Sequence, residues 1–216
     1  MKPEVPAAEG ICATEQSSER REHDTGAKTV IWFFGPPGSG KGFCATKLSE
    51  ILGVPHVDAD EEQFLTREYR RALEEATLTQ DMRRKKLERI RDHVVRLLEH
   101  QGHNQVVVED SLPNRASREL LLNGFGEQIN VLLVYVKTNP AVQALNLAKR
   151  KGEHFFTVDM LHAWMANWEE PILWTYVVDN TGYTPIQPQL ENIARYVLDL
   201  QYRAELEASY RGSNHV

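Results

Sequence analysis

A glycine-rich segment gives the clearest chemical signal in the sequence. It runs Gly35-Pro-Pro-Gly38-Ser39-Gly40-Lys41 and matches the spacing G-x-x-x-x-G-K. Glycines at this spacing let backbone N–H groups converge on phosphate oxygens, because no Cβ atom stands in the way. The lysine reaches the β- and γ-phosphates, and the following helix adds the positive end of its dipole. The segment predicts a nucleotide-binding loop made of Gly35, Pro36, Gly38, Ser39, Gly40 and Lys41, continued by Gly42 and Phe43.

Residue 42 departs from the usual pattern of such loops. It is glycine, where Ser or Thr normally supplies a hydroxyl ligand to Mg²⁺. A magnesium ion bound with ATP would then rely on phosphate oxygens, water and acidic residues elsewhere. We therefore expect ATP and Mg²⁺ as cofactors, with acidic metal ligands outside the loop.

Acidic side chains end two of the predicted strands. Asp58 and Asp60 follow one strand, and Glu109 and Asp110 end another. Ligands of open parallel sheets lie beyond the carboxyl ends of the strands. One carboxylate of the first pair would accept the proton of an attacking hydroxyl while the other orders the water of a metal ion, although Asp60 could instead cap the next helix. Asp58 and Asp110 are the expected metal ligands, but the sequence leaves open whether Glu109 or Asp110 faces the metal.

A basic stretch that begins at Arg150 is typical of a mobile lid. It contains a glycine and lies between a predicted helix and an apolar segment, so we expect a lid at about residues 150–158. The guanidinium of Arg150 would stabilise charge that develops on a transferred phosphoryl group. Positive charge at the C-terminal end of a helix is also favoured by the helix dipole alone, which is the alternative explanation.

The elements that must position these residues alternate along the chain. Apolar runs predict strands at 29–34, 54–58, 105–109, 129–136 and 175–178. Helical patterns cover 41–52, two helices within 60–101 that break near 77–79, and further helices at 115–122, 140–149 and 188–208. Strands that alternate with helices predict an α/β fold with a parallel sheet covered by helices on both faces.

Length and composition indicate one globular domain. The chain has 216 residues, which suit a domain at 28–210 with an N-terminal extension at 1–27 that we expect to be disordered and a flexible C-terminus at 211–216. The net charge of −6 argues against a general nucleic-acid binder. Two cysteines and the lack of a long apolar run favour a reducing compartment without membrane insertion, so we expect a cytoplasmic protein. The sequence leaves open whether it is a monomer or a homodimer.

The segment from residue 150 to 161, followed by Glu170-Pro171, resembles the gluconate kinases of the shikimate/gluconate branch of P-loop kinases. Their lid runs Arg-Lys-Gly-His-Phe, then Met-Leu, then Glu-Pro; here Glu153 is inserted before His154. The resemblance extends from about residue 29 to 200 and includes Asp58-Ala-Asp60, Asp110-Ser111-Leu112 and Val177-Val178-Asp179.

The resemblance implies a three-layer P-loop kinase fold with a five-stranded parallel sheet, a mobile lid, ATP as phosphoryl donor and a small-molecule acceptor. Gly38, Gly40 and Lys41 would hold the phosphates, and Asp58 or Asp60 would meet the acceptor hydroxyl. Arg150 would reach over from the lid. Arg83 and Arg118 would meet an anionic group of the acceptor, and His154 would orient a phosphate. Asp179 would lie near adenine.

The departures from this family fall where the acceptor should bind. Gly42 replaces the serine after the loop lysine, residues 61–64 replace a Leu-His-Pro sequence, and the tryptophan after the family's Asp-Asp-Arg stretch is absent. A gluconate-like sugar acid is thus a first hypothesis for the acceptor. One alternative is a nucleotide or polynucleotide 5′-kinase, which Gly42 and the basic run at 83–86 would suit. We interpret that run, however, as a solvated helix face. A second is a non-catalytic nucleotide-binding module.

Overall fold

Five strands and seven helices make up the part of the chain that the structure, a computed structural model, describes: residues 28–75, 77–149, 158–172 and 176–213. The strands are β1 (Lys28–Phe34), β2 (His56–Asp58), β3 (Gln105–Asp110), β4 (Ile129–Thr138) and β5 (Tyr176–Asn180). The helices are α1 (Lys41–Leu52), α2 (Arg67–Glu74), α3 (Gln80–His100), α4 (Arg115–Leu122), α5 (Pro140–Ala148), α6 (Val158–Met165) and α7 (Ile186–Ser213).

The strands form one parallel sheet in the order β2-β3-β1-β4-β5. The first strand is therefore central: Ile31 aligns with Val107 of β3 on one side and with Leu132 of β4 on the other. Residues 30–34 are completely buried, as expected for a strand covered on both faces.

Helices cover both faces of the sheet with separate apolar cores. On one face, Ile90, Val94 and Leu98 of α3 pack with Trp32 and Phe34. On the other face, residues of α1 and α7 pack with Ile31 and Phe33; they are Cys44, Ala45, Leu48, Leu190, Ile193, Ala194 and Val197. The predicted α/β architecture with three layers is thus confirmed.

The boundaries differ from the sequence prediction at a few points. The helix expected from residue 60 begins only at Arg67, because residues 58–65 form successive turns and the Thr66 hydroxyl caps the helix by accepting from the Tyr69 N–H. The reading of Asp60 as a helix cap is therefore wrong. The terminal helix continues to Ser213, beyond the predicted domain boundary at residue 210.

Helix α6 was not predicted as a separate element. It begins directly after residues 150–157. These residues make up most of the expected lid and lie outside the described residues. Among the helices that the structure describes, none is long and apolar enough to cross a bilayer.

Cys44 provides a test of how tightly α1 packs on the sheet. Burial, together with the carboxylate of Glu109, raises the pKa of the Cys44 thiol to about 12. In a Cys12→Ser variant, where Cys44 is the remaining thiol, we expect almost no reaction with a chromogenic disulfide reagent at about pH 8, because the thiolate is the reactive form. Unfolding in denaturant should release one reactive thiol per chain. Rapid reaction of the folded variant would contradict this packing.

Candidate active site

The loop between β1 and α1 has the curvature that its glycines permit. Gly38 has φ 79° and Gly40 has φ 88°, in the left-handed region that glycine adopts without strain. A Cβ atom at these positions would also lie 2.8 Å from the Gln143 carbonyl oxygen and 2.6 Å from Asn180 Nδ2, respectively. Both glycines are therefore required by backbone conformation and by space.

Three side-chain amides fix the loop from behind. Gln143 Nε2 donates to the Pro37 carbonyl at 2.6 Å, Asn146 Nδ2 to the Gly38 carbonyl at 2.9 Å, and Asn180 Nδ2 to the Ser39 carbonyl at 2.7 Å. The three donors lie on α5 and at the end of β5, and the three acceptors are carbonyls of the loop. The loop backbone is therefore held in its curved form before any ligand binds. Sequence reasoning missed all three amides, since no spacing links them to the loop.

The loop borders a first cavity of about 600 Å³, which we call the phosphate cavity. Lys41 lines it and is 6% exposed. Phe43, Asn180 and Ile186 line the same cavity, and the Phe43 side chain is largely exposed. Asp179, which the resemblance assigned to adenine, instead accepts hydrogen bonds from the Thr181 N–H and the Thr184 hydroxyl. Its neighbour Asn180 is the β5 residue that faces the loop.

Glu109 stands beside Gly42 at the wall of the phosphate cavity. A Cβ atom at residue 42 would lie 2.8 Å from Glu109 Oε1, so the carboxylate occupies the space next to the missing side chain. Glu109 Oε1 also lies 3.6 Å from His56 Nε2. Burial raises the pKa of the nearby Asp58 carboxyl, and the charge of Glu109 adds to this effect. Three carboxylates, those of Asp58, Asp60 and Glu109, thus line the phosphate cavity.

A second cavity of about 680 Å³ adjoins the phosphate cavity and shares Lys41 and Asp60 with it. Its wall includes the aromatic rings of Tyr69 and Trp164 and the cationic side chain of Arg83. The aliphatic part of the wall is contributed by Leu65, Leu73, Leu78, Leu87 and Leu112. We call this space the acceptor cavity.

Lys86 connects two carboxylates in the acceptor cavity. Its Nζ lies 3.1 Å from Asp60 Oδ1 and 3.1 Å from Asp110 Oδ1, and 5.5 Å from the centre of the Tyr69 ring. Lys86 belongs to the basic run at 83–86, for which the sequence predicts a solvated helix face. Helical spacing could have found it, because Lys86 lies four residues before Ile90 and eight before Val94 on the buried face of α3.

Two predicted site residues have other partners in the structure. Asp110, expected at the metal, is turned to Lys86, and its Oδ1 also accepts from the Ser111 N–H at 2.7 Å. Residues 106 and 108 pack in the core on the α3 side, so residue 110 continues on that face and Glu109 points to the loop. Of the two acids between which the sequence leaves the choice open, Glu109 is therefore the one that lines the phosphate cavity, and its role at a metal stays a prediction.

Arg118 is buried and does not line the acceptor cavity. Its guanidinium donates to the carbonyls of Leu112 and Glu169 at 3.1 Å and lies over the rings of Phe34 and Trp168. The first of these bonds supports Leu112, which has the strained φ of 41°. Arg118 thus stabilises the loop after β3 through backbone carbonyls, and its contact with an anionic substrate stays a prediction.

The remaining expectations divide between the described and undescribed residues. Arg83 lines the acceptor cavity, and its contact with an anionic group of the acceptor stays a prediction. Arg150 and His154 lie outside the described residues. The basic run does not form a continuous cationic face, because Arg84 and Lys85 pair with acids of their own helix and Lys86 is buried. Trp164 and Trp168 stack on each other, and the ring of Trp168 also contacts that of Tyr135.

Comparisons with known proteins agree with this geometry. A family model described as AAA domain matches residues 30–171. A solved gluconokinase from Sinorhizobium meliloti 1021 is similar with a TM-score of 0.63 and 22% identity, covering 84% of this chain and 98% of that chain. A sugar kinase from Janibacter sp. HTCC2649 has a TM-score of 0.62 and 18% identity, over 82% and 98%. The fold predicted from the resemblance to gluconate kinases is thus confirmed.

A curated relative is similar over shorter stretches. An adenylate kinase from Thermotoga maritima is 28% identical over 102 residues, which are 43% of this chain and 44% of the relative. The chain therefore spans less than half the length of this curated kinase.

The charges around Lys86 make a testable contribution to stability. A Lys86→Met variant keeps the volume of the side chain but leaves the Asp110 carboxylate buried without its cation. We expect the free energy of unfolding in urea to fall by about 3 kcal/mol. Lys85→Met is the matched control, since Lys85 is exposed and pairs with Asp81 at the surface, and it should leave the denaturation midpoint almost unchanged. Equal midpoints for the two variants would contradict the buried ion pair.

Proposed function

The chain belongs to the AAA domain family, and on this premise we propose that it is an ATP-dependent kinase that transfers the γ-phosphate to a hydroxyl group of a small metabolite. The observation that carries the proposal is the pair of adjoining cavities that share Lys41 and Asp60. ATP bound at the loop and a metabolite bound in the acceptor cavity would then meet at these two side chains.

In the proposed reaction the acceptor hydroxyl loses its proton to the Asp60 carboxylate as its oxygen attacks the γ-phosphorus. The new O–P bond forms while the bond from the γ-phosphorus to the bridging oxygen breaks, which leaves ADP and the phosphorylated acceptor. Lys41 stabilises the charge on the phosphoryl oxygens. The amides Gln143, Asn146 and Asn180 support this step by keeping the loop in one geometry, which lowers the entropic cost of aligning donor and acceptor.

The acids of the phosphate cavity fit a magnesium ion. Mg²⁺ binds through one or two carboxylates together with substrate phosphates and water, and Asp58 and Glu109 supply hard oxygen ligands at this wall. Within the described ranges, no group of three or more acidic, histidine or cysteine side chains is arranged to hold a metal by itself. Asp58 and Glu109 would therefore hold the ion jointly with the nucleotide. When bound, magnesium would neutralise charge on the phosphates.

A gluconate-like sugar acid is the first acceptor to test. The acceptor cavity offers hydrogen-bonding groups for hydroxyls at Asp60 and Ser111, and Arg83 offers a cation for a carboxylate. The fold shared with the gluconokinase supports this choice.

Replacement of the loop lysine tests the donor site. Lys41→Met should lower turnover by about 10²–10³-fold, because the cation that stabilises the transferred phosphoryl group is lost. Formation of ADP and phosphorylated acceptor, measured with gluconate and a panel of other alcohols, gives the rate. Lys47→Met is the control, since Lys47 lies on the same helix, is exposed and pairs only with Glu50 in the described structure. Full turnover of Lys41→Met would refute the assignment, and tight ATP binding without any turnover in the parent protein would favour a non-catalytic module.

Binding measurements test the metal ligands without requiring turnover. Magnesium should tighten ADP binding to the parent protein, and Glu109→Gln should reduce this enhancement by about tenfold, because one charged oxygen ligand is lost. Calorimetric titration of ADP with and without magnesium gives both affinities. The affinity for ADP alone should not fall in the variant, which separates a metal effect from damage to the loop. An unchanged magnesium effect would exclude Glu109 as a ligand.

A further inference from the structure

The acceptor cavity has an apolar wall that the proposed reaction does not use. Leu65, Leu73 and Leu78 line the cavity, and each of them is only half-buried. Leu73 lies on α2, and the other two leucines flank this helix in the sequence. Single exposed leucines are common on protein surfaces, but several that line one cavity indicate a surface for an apolar ligand group.

The more deeply buried part of the same wall is rigid. The rings of Tyr69 and Trp164 are 7% and 9% exposed. Trp164 stacks on Trp168 with ring centres 5.5 Å apart, and Lys86 Nζ lies over the Tyr69 ring. Both rings are therefore fixed by neighbours from the protein, so the cavity keeps its apolar surface in the absence of a ligand.

The cations that α2 and α3 contribute to the cavity differ in their partners. Arg70 donates from both terminal nitrogens to Glu62 Oε1 at 3.1 Å, and Lys86 is enclosed by two carboxylates. Arg83 is half-buried and forms no ion pair with a described residue. It lies four residues before Leu87, which lines the same cavity, so the two share one face of α3. A free guanidinium therefore borders the apolar wall.

Few hydrogen-bonding side chains of the cavity are left for a ligand along this wall. The Ser117 hydroxyl already donates to Asn114 Oδ1 at 2.8 Å, and Glu74 is exposed to solvent. A ligand with a hydroxyl group on every carbon would place several of these groups against leucine side chains. Each such hydroxyl would lose its hydrogen bonds to water without gaining a replacement.

We infer that the acceptor is an alcohol with an apolar body of about the size of an aromatic ring, which packs against Leu65, Leu73 and Leu78 while an anionic group of the same molecule meets Arg83. The inference rests on the proposed function, which places the reacting hydroxyl at Asp60. The cavity volume of about 680 Å³ is ample for such a molecule.

This substrate class differs from a sugar acid in the body of the molecule and not in its ends. Gluconate, the first acceptor to test on the strength of the resemblance, carries a hydroxyl and a carboxylate, but a fully hydroxylated chain joins them. The apolar wall would favour a compound that keeps both ends and replaces this chain by a ring, because burial of the ring removes apolar surface from water.

Two compounds with the same end groups test the inference. Gluconate and para-hydroxymethylbenzoate each carry a primary hydroxyl at one end and a carboxylate at the other, and they differ in the body between. The donor site is first filled with magnesium and a non-hydrolysable ATP analogue, and each compound is then titrated into the parent protein in a calorimeter. The aromatic compound should bind at least about tenfold more tightly than gluconate.

Variants of the wall show whether this preference arises in the acceptor cavity. Leu73→Asn should weaken binding of the aromatic compound by about tenfold without weakening that of gluconate, because it places an amide in the apolar wall. Leu120→Asn is the matched control, since Leu120 is a partly exposed leucine of α4 that lines neither cavity. Arg83→Met should weaken binding of para-hydroxymethylbenzoate but not that of the uncharged para-methylbenzyl alcohol.

The inference is overturned if gluconate binds as tightly as the aromatic compound, if the aromatic compound does not bind at millimolar concentration, or if Leu73→Asn has no more effect than Leu120→Asn. Because the titrations consume no ATP, they are independent of whether the proposed kinase reaction occurs. Formation of ADP with gluconate but with no ring-bearing alcohol would overturn the inference and leave the proposed function standing. A preference for the ring in a protein without any turnover would do the reverse.

Discussion

The fixed curvature of the loop at 35–40 is the constraint on which the rest of the site depends. A loop that binds phosphate through its backbone must keep its N–H groups convergent, and folding such a loop only when a ligand arrives would weaken binding. Here the carbonyls are held by Gln143, Asn146 and Asn180, which come from α5 and the end of β5. The sheet order makes this possible, because β4 lies directly beside β1. Helix α5 follows β4 in the chain and β5 pairs with β4, so both elements lie close to the loop.

Charge in the site is divided between a donor half and an acceptor half. In the phosphate cavity Lys41 is the cation, and Asp58 and Glu109 are acids at the same wall. On the acceptor side Lys86 is enclosed by Asp60 and Asp110. Each half therefore contains one buried ammonium with its own carboxylates, and the two halves meet at Lys41 and Asp60. In the proposed reaction, this separation would allow an anionic donor to bind beside acids that accept a proton.

Local sequence patterns predicted the loop and the layers but not the contacts across the fold. The glycine spacing identified the loop, and apolar runs identified all five strands. The amide of Asn180, however, reaches a carbonyl 141 residues earlier in the chain, and no local pattern encodes such a contact. Glu109 and Asp110 could be assigned to opposite faces by strand alternation, yet only the positions of α1 and α3 tell which face holds the nucleotide loop. Arg118 shows another limit, because a buried arginine that supports backbone carbonyls looks the same in sequence as one that binds substrate.

The central place of β1 has a consequence for synthesis of the protein. This strand is the first described element to leave the ribosome, yet its partners β3 and β4 end at residues 110 and 138. For more than a hundred residues of translation, the apolar sequence Val30-Ile31-Trp32-Phe33-Phe34 has no complete place in a sheet. Exposed apolar segments of this kind are prone to aggregate until their partners have been synthesised. The strand that is most deeply buried in the finished sheet is thus the one that waits longest for its partners during synthesis.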